Sequence, residues 1–210
     1  ANLEAPQELR LNVLSIMNRT MMVTAHGQTS DIMNEVTADV TIENIEKVLE
    51  WKTACYTLLN PLHVGMVFAG ADCHATDAIT PYAMAVGKAF QLTDDVVGIF
   101  GSTEESGKSP LDDIREGKRT ILMAYALEHA DKSDRNFLIQ MLGNRQLKPA
   151  EFERCKAILL ESGAVKHTKS LAEQFVHEAQ QALDKEAGRW SNDGIQFLHG
   201  LADYLLNRSA

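Results

Sequence analysis

Positive charge is scarce. Twenty lysines and arginines stand against 29 aspartates and glutamates, a net −9 for 210 residues. That balance argues against nucleic acid as the main partner, because phosphate-backbone binding draws on clustered basic side chains. It leaves anionic small molecules open if a divalent cation intervenes. Cysteine is sparse too. Cys55, Cys73 and Cys155 are scattered with no C-x-x-C spacing, which excludes a disulfide framework or a zinc ribbon and predicts reduced thiols. Strand signals are almost absent. The one Asp-Gly dipeptide, Asp193-Gly194, lies beside a helix start and not between two apolar strands. No transmembrane segment is expected either. The longest apolar stretch, Tyr56 to Ala71, is interrupted by Asn60, Pro61 and His63 and falls short of the ~18 uninterrupted residues of a span. Ala1 to Gln7 lack the basic and apolar regions of a secretory leader, so the expected location is cytoplasmic. There is no internal repeat and no low-complexity tract.

What is present is helical periodicity throughout, with 45% apolar residues, a composition that can bury a real core. The spacing predicts a long first helix from about Glu8 to Glu35, with Leu9, Val13, Ile16, Met17, Met21, Thr24 and Gln28 on one face. Gly27 interrupts it at a cost of about 1 kcal/mol relative to Ala, which raises the question of what approaches closely there. A second helix starts at the N-cap Thr41 and meets Pro61, with its pattern resuming to about Ala69. Lys52 falls within its otherwise apolar face. A third starts at Thr80-Pro81 and stops at Gly101. After a loop from Ser102 to Glu116, further helices are expected over Lys118–His129, Ser133 to before Gly143, Pro149–Ser162, Ala164–Ala187 and Ser191–Asn207. The chain reads as one all-α domain, 1–210, with a motif-rich region over 22–120 and a plain helical region over 131–210. Gly143 to Lys148 is the nearest thing to a boundary.

The chemistry centres on Phe90-Gln91-Leu92-Thr93-Asp94-Asp95-Val96-Val97-Gly98-Ile99-Phe100-Gly101. On a helix Gln91 shares a face with Asp94 and Asp95, three and four residues on, and Lys88 lies near the same line. Two adjacent ionised carboxylates repel unless a cation lies near them. A hard ion such as Mg2+ takes oxygen ligands and can bridge carboxylates to a phosphate. No His or Cys cluster accompanies them, so zinc is not expected. Lys108 after Gly107 and Lys118 after Gly117 suit phosphate oxygens as point charges. Lys52, an ammonium in an apolar face, asks for an anion. Taken singly, an Asp pair, a snorkelling lysine or a loop lysine is unremarkable, and Asp112-Asp113 reads as a turn or a helix cap. Only the whole constellation points to a diphosphate.

Phe90-Gln91-x-x-Asp94-Asp95-x-x-Gly98-x-Phe100-Gly101, then Gly107-Lys108, then Asp113-Ile114-x-Glu116-Gly117-Lys118-x-Thr120 resembles the second aspartate-rich region of trans-prenyl diphosphate synthases, the geranylgeranyl type included. Gly27-Gln28-x-x-Asp31 and Lys52-Thr53-Ala54-x-Tyr56-Thr57 resemble two upstream segments of that family, in the family's order. The resemblance implies an all-α, isoprenoid synthase-type helical bundle. It implies head-to-tail condensation of isopentenyl diphosphate with an allylic diphosphate, with Mg2+ as cofactor and apolar walls that keep water from a carbocation. By position, Asp94 and Asp95 are expected to be Mg2+ ligands. Lys52, Lys108 and Lys118 are expected to contact the allylic diphosphate, and Lys52, Thr53 and Gln91 to line the reaction site. A homodimer is also implied.

Two departures stand out. Gly98 occupies the place of the motif's third aspartate. The family's first aspartate-rich motif and its isopentenyl diphosphate segments are not found among these residues. The chain therefore resembles the C-terminal portion of such a synthase with its N-terminal helices missing. It is expected to be inactive alone, and product length, set largely near the first motif in this family, cannot be read from it. Alternatives are a non-catalytic partner subunit and a terpene cyclase. The intact second motif speaks against the former, and Lys52-Thr53 with Gly117-Lys118 against the latter.

Overall fold

A computed structural model describes residues 5–37, 40–101 and 109–207, all helical apart from turns and one isolated bridge between Ala187 and Trp190. The first helix, α1, runs Gln7–Val36. α2 covers Ile42–Val48 and passes directly into a π-helical segment, Leu49–Leu59, and then α3, Asn60–Phe68. α4 covers Cys73–Phe100. The remainder are α5 (Asp112–Glu116), α6 (Ile121–His129), α7 (Lys132–Met141), α8 (Pro149–Glu161), α9 (Ala164–Asp184) and α10 (Asn192–Asn207). Among the described residues no helix is long and apolar enough to cross a membrane.

The caps explain several boundaries. Thr41 accepts from the backbone N–H of Asn44, whose side chain bonds back to Thr41, so the predicted start holds. α4 begins a full two turns before the predicted Thr80-Pro81. Asp72 caps it by accepting from Ala75 N at 2.8 Å, and Pro81 sits inside. Proline there removes one backbone bond, but Ile79 and Tyr82, both almost fully buried, hold the helix through it. A tolerated interior proline thus carries the same local signal as a helix start. Likewise α6 starts at Ile121, capped by Thr120. Lys118 precedes it, in the turn after Gly117, whose φ of +80° ends α5. α7 is capped by Asp131, not Ser133.

Two apolar cores share α4. Its first two thirds pack with α2, the π-helical segment, α9 and α10, around Tyr82, Val86, Ala89 and Leu92. Its last turns, Val96 and Ile99, enter a second core with Ile114, Leu122, Leu138, Phe152 and Leu159. Gly143 to Lys148 joins this core, since Gly143 donates to Ile114 O at 2.8 Å and Leu147 is buried. Asp94 and Asp95 thus sit where α4 leaves one core for the other.

The π-helical segment is clasped between α1 and α4, and a glycine permits each approach. A Cβ on Gly27 would lie 2.5 Å from Lys52 N, and one on Gly87 2.5 Å from Ala54 Cα. That answers the question Gly27 posed, and the expected face is kept in part: Leu9, Val13, Ile16 and Thr24 are half-buried on the inner side of α1. The buried line runs through Gly27, Asp31 and Asn34, while Met17, Met21 and Gln28 point outward. The inner line is thus apolar in the first half of α1 and polar near Gly27, where the two backbones meet.

Candidate active site

The π-helical segment presents Lys52 to α1 and Thr53 to α4. Lys52 Nζ lies 2.5 Å from Asp31 Oδ2. Thr53, 7% exposed, donates its hydroxyl to Gln91 Oε1 at 2.8 Å. Gln91 in turn donates from Nε2 to Asp95 Oδ1 at 2.8 Å, one helical turn along α4. A hydroxyl, an amide and a carboxylate are thereby joined across two helices. π-Helical geometry recurs at functional sites because it breaks the even 3.6-residue spacing and redirects neighbouring side chains. Here consecutive residues, Lys52 and Thr53, serve different helices.

Lys118, in the turn between α5 and α6, closes the other side. It is ion-paired with Asp113 on α5. Burial opposes its charge, but Asp113, then Glu116 and Asp95, outweigh burial and hold its pKa above the ordinary lysine value. A small cavity of about 50 Å³ is lined by Lys52, Thr53, Gln91, Asp95 and Lys118, with Arg119 and Thr120. It has room for about one or two waters, which makes it the floor of a site and not the whole of it.

Asp94 and Asp95 part company, as neighbours on a helix must. Asp95 is 6% exposed, whereas Asp94 faces outward. Burial pushes the Asp95 carboxyl up to about 7. The Gln91 hydrogen bond opposes this, Asp113 and Asp94 add to it, and Lys118 lowers it. A further cation beside such a carboxylate would favour its charged form. The donors are all oxygen, which fits a hard divalent ion and not zinc. Among the described residues no three His, Cys, Asp or Glu side chains converge as a ready metal cage, so such an ion would rely on one or two of these carboxylates, water and ligand oxygens.

The structure brings together five of the seven sequence-predicted residues, Lys52, Thr53, Gln91, Asp95 and Lys118. Asp94 stands beside them on the exposed side. Lys108 falls in 102–108, outside the described residues. Lys88 turns elsewhere, to Glu50 at 2.5 Å. Two further residues join the site. Asp31 belongs to a motif that assigns it no role, although Gly27 and Asp31 at one-turn spacing are a usable signal. Asp113, expected as a turn or cap residue, is the other. Its Oδ2 would lie 3.0 Å from a Cβ on Gly98, so it fills the space beside the missing third aspartate of the motif. A larger cavity lies nearby and has a mixed lining. About 560 Å³ between α1, the π-helical segment, α3 and α4 is lined by Ile16, Val23 and Leu59 but equally by Arg19, His63 and Asp77.

Known proteins share this arrangement of helices. A family model described as polyprenyl synthetase matches residues 2–159. The chain is 32% identical over 145 residues to the geranylgeranyl diphosphate synthase of Saccharolobus solfataricus, covering 69% of this chain and 43% of that one. It is 26% identical over 203 residues to the geranylgeranyl diphosphate synthase of Sulfolobus acidocaldarius, covering 97% and 61%. Among solved structures, the geranylgeranyl pyrophosphate synthase of Corynebacterium glutamicum, complexed with isoprenyl diphosphate and magnesium, superposes with a TM-score of 0.90 at 29% identity, over 97% of this chain and 57% of that one. The polyprenyl synthase of Caulobacter crescentus, complexed with calcium and isoprenyl diphosphate, gives 0.85 at 31%, over 94% and 59%. The chain spans between 43% and 61% of the length of these two curated relatives.

Proposed function

The chain belongs to the polyprenyl synthetase family, and from that membership we propose that it carries the diphosphate-binding side of a prenyltransferase of geranylgeranyl type. The reaction is the head-to-tail condensation of isopentenyl diphosphate with an allylic diphosphate. The observation that carries this reading is the single pocket in which Lys52, Thr53, Gln91, Asp95 and Lys118 meet.

Lys52 and Lys118 would donate to oxygens of the allylic diphosphate, with Lys108 as a third cation. As the carbon–oxygen bond breaks, negative charge grows on the leaving group, and fixed cations stabilise that charge more than the bound substrate. Thr53 and Gln91, already bonded to each other, keep their dipoles aimed without reorganising during the step. Asp94 and Asp95 would hold Mg2+. When bound, that ion neutralises diphosphate charge and so eases departure of the leaving group. At the buried Asp95 carboxyl such an ion would supply the countercharge that favours the ionised form, which burial disfavours.

A homodimer belongs to the same reading. What supports it is the outer side of α1, where Leu14, Met21, Met22, Met33 and Val36 are 55, 67, 72, 57 and 78% exposed. An apolar strip of that kind marks a surface made to be covered.

The test is calorimetric titration of the 210-residue chain with inorganic pyrophosphate in the presence of Mg2+. Binding is expected, and Asp94→Asn should weaken it by roughly tenfold or more. Incubation with isopentenyl and farnesyl diphosphates should yield no longer product, because one acidic motif supplies one side of the metal site. Unchanged binding in Asp94→Asn, or product formation, would refute the respective claim.

A further inference from the structure

The ammonium of Lys52 has a partner for which the reaction offers no use. Asp31 Oδ2 lies 2.5 Å from it, and Asp31 is only 8% exposed. A carboxylate taken that far from water needs a fixed countercharge. Lys52 supplies it, with its side chain itself 32% exposed, so the ammonium is gripped at one end and reachable at the other.

The backbone of Lys52 is gripped by the same helix face. A Cβ on Gly27 would lie 2.5 Å from Lys52 N and 2.8 Å from Trp51 C, and the His26 ring packs 5.0 Å from that of Trp51. Gly27 and Asp31 are one helical turn apart, hence on one face of α1. One turn of helix therefore fixes both ends of a long, flexible side chain. The other neighbour is fixed as well, since Ala54 is pressed by Gly87 from α4.

We propose that Asp31 is a positioning residue, which holds the Lys52 ammonium in place and aimed at the diphosphate site. It engages one of the three N–H donors of the ammonium and leaves the others for phosphate oxygens. Glu35, one turn further along α1, lies close enough for both Asp31 and Lys52 to act on its carboxyl, and burial pushes that carboxyl up. Asp31, and not Glu35, is the carboxylate hydrogen-bonded to the lysine. The inference rests on reading Lys52 as a diphosphate ligand.

Charge alone predicts the opposite effect. Taking a carboxylate away from an anion site should tighten it, whereas loss of positioning should weaken it. The experiment is Mg2+-pyrophosphate titration of Asp31→Ala, Asp31→Asn and Lys52→Met, and of the double variant Asp31→Ala/Lys52→Met, with melting curves alongside. Asp31→Ala is expected to bind roughly tenfold more weakly. Asp31→Asn keeps an oxygen acceptor and the volume, and should recover part of the loss. It also carries the test if the alanine variant fails to fold. In the Lys52→Met background only the charge effect is left, so Asp31→Ala should weaken binding no further and can only tighten it, an outcome that a merely structural role does not produce. If the unsubstituted chain binds no pyrophosphate, the diphosphate reading falls and this inference with it. If the unsubstituted chain binds and the Asp31 variants bind equally or more tightly, this inference alone is overturned.

Discussion

At Asp95 a single carboxyl links the site to stability. Its ordinary value is 3.8, and burial lifts it to about 7 in the folded chain. Well below 3.8 the group is protonated folded or unfolded, so it costs nothing. Between about 4 and 7 the unfolded chain ionises first, so the folded state binds more protons and stability falls as pH rises. Above 7 the full penalty is present, about 4 kcal/mol at most for a shift of this size. Asp95→Asn keeps the acceptor for Gln91 and removes the charge. It should therefore melt clearly higher than the parent at pH 8 and nearly equally at pH 4, read by thermal denaturation across that range. A melting difference that ignores pH would sink the assignment. Added Mg2+ should narrow the gap at pH 8, because only the parent carries the charge there. At this scale the sequence is informative about which residues matter and silent about their states. Asp94 and Asp95 are adjacent letters, yet one is exposed and the other buried. Lys52 calls for an anion, but nothing local says that the chain itself supplies one in Asp31.

At the scale of elements, the π-helical segment between α1 and α4 is held by two close approaches. Gly87 has no room for a methyl group, since a Cβ there would lie 2.5 and 2.6 Å from Ala54 Cα and Cβ. Gly87→Ala forces apart two buried helices and should cost about 1–3 kcal/mol. Gly65, exposed on α3, has nothing within 4 Å, and Gly65→Ala should gain up to about 1 kcal/mol from helix propensity. Urea unfolding midpoints of the two variants should move in opposite directions, and shifts of the same sign would disprove the close-approach account. Helix number and order are largely legible in the sequence, because long periodic stretches such as α1, α8, α9 and α10 carry their own signals. Starts at capped positions such as Thr41 are legible too. Pro81 misleads, since burial of Ile79 and Tyr82 outweighs one lost backbone bond. The π register leaves no trace in the apolar spacing, because it is imposed by the helices on either side.

For the whole molecule, the outer side of α1 carries the proposal of a homodimer. Sedimentation velocity of the chain should give twice the monomer mass, and Met21→Glu with Met22→Glu, on residues 67 and 72% exposed, should shift it toward monomer with little loss of melting temperature. A monomeric parent would mean that something other than a second copy covers this strip. The same face shows how far a periodic reading reaches. Apolar residues on α1 occur on both sides, and only the position of Gly27 against Lys52 decides which side turns inward.

The sequence by itself settled the helical class and showed no membrane-spanning run among these residues, and it nominated Lys52, Gln91, Asp94, Asp95 and Lys118 as candidates, because these follow from periodicity and short motifs. The tertiary structure decided which of those residues share a pocket, that Asp31 and Asp113 belong with them, and that Asp95 is buried beside Asp94 exposed. Those outcomes depend on contacts between residues far apart in the chain, such as Thr53 with Gln91 and Asp31 with Lys52. Such contacts form only once Gly27 and Gly87 let three helices close to backbone contact.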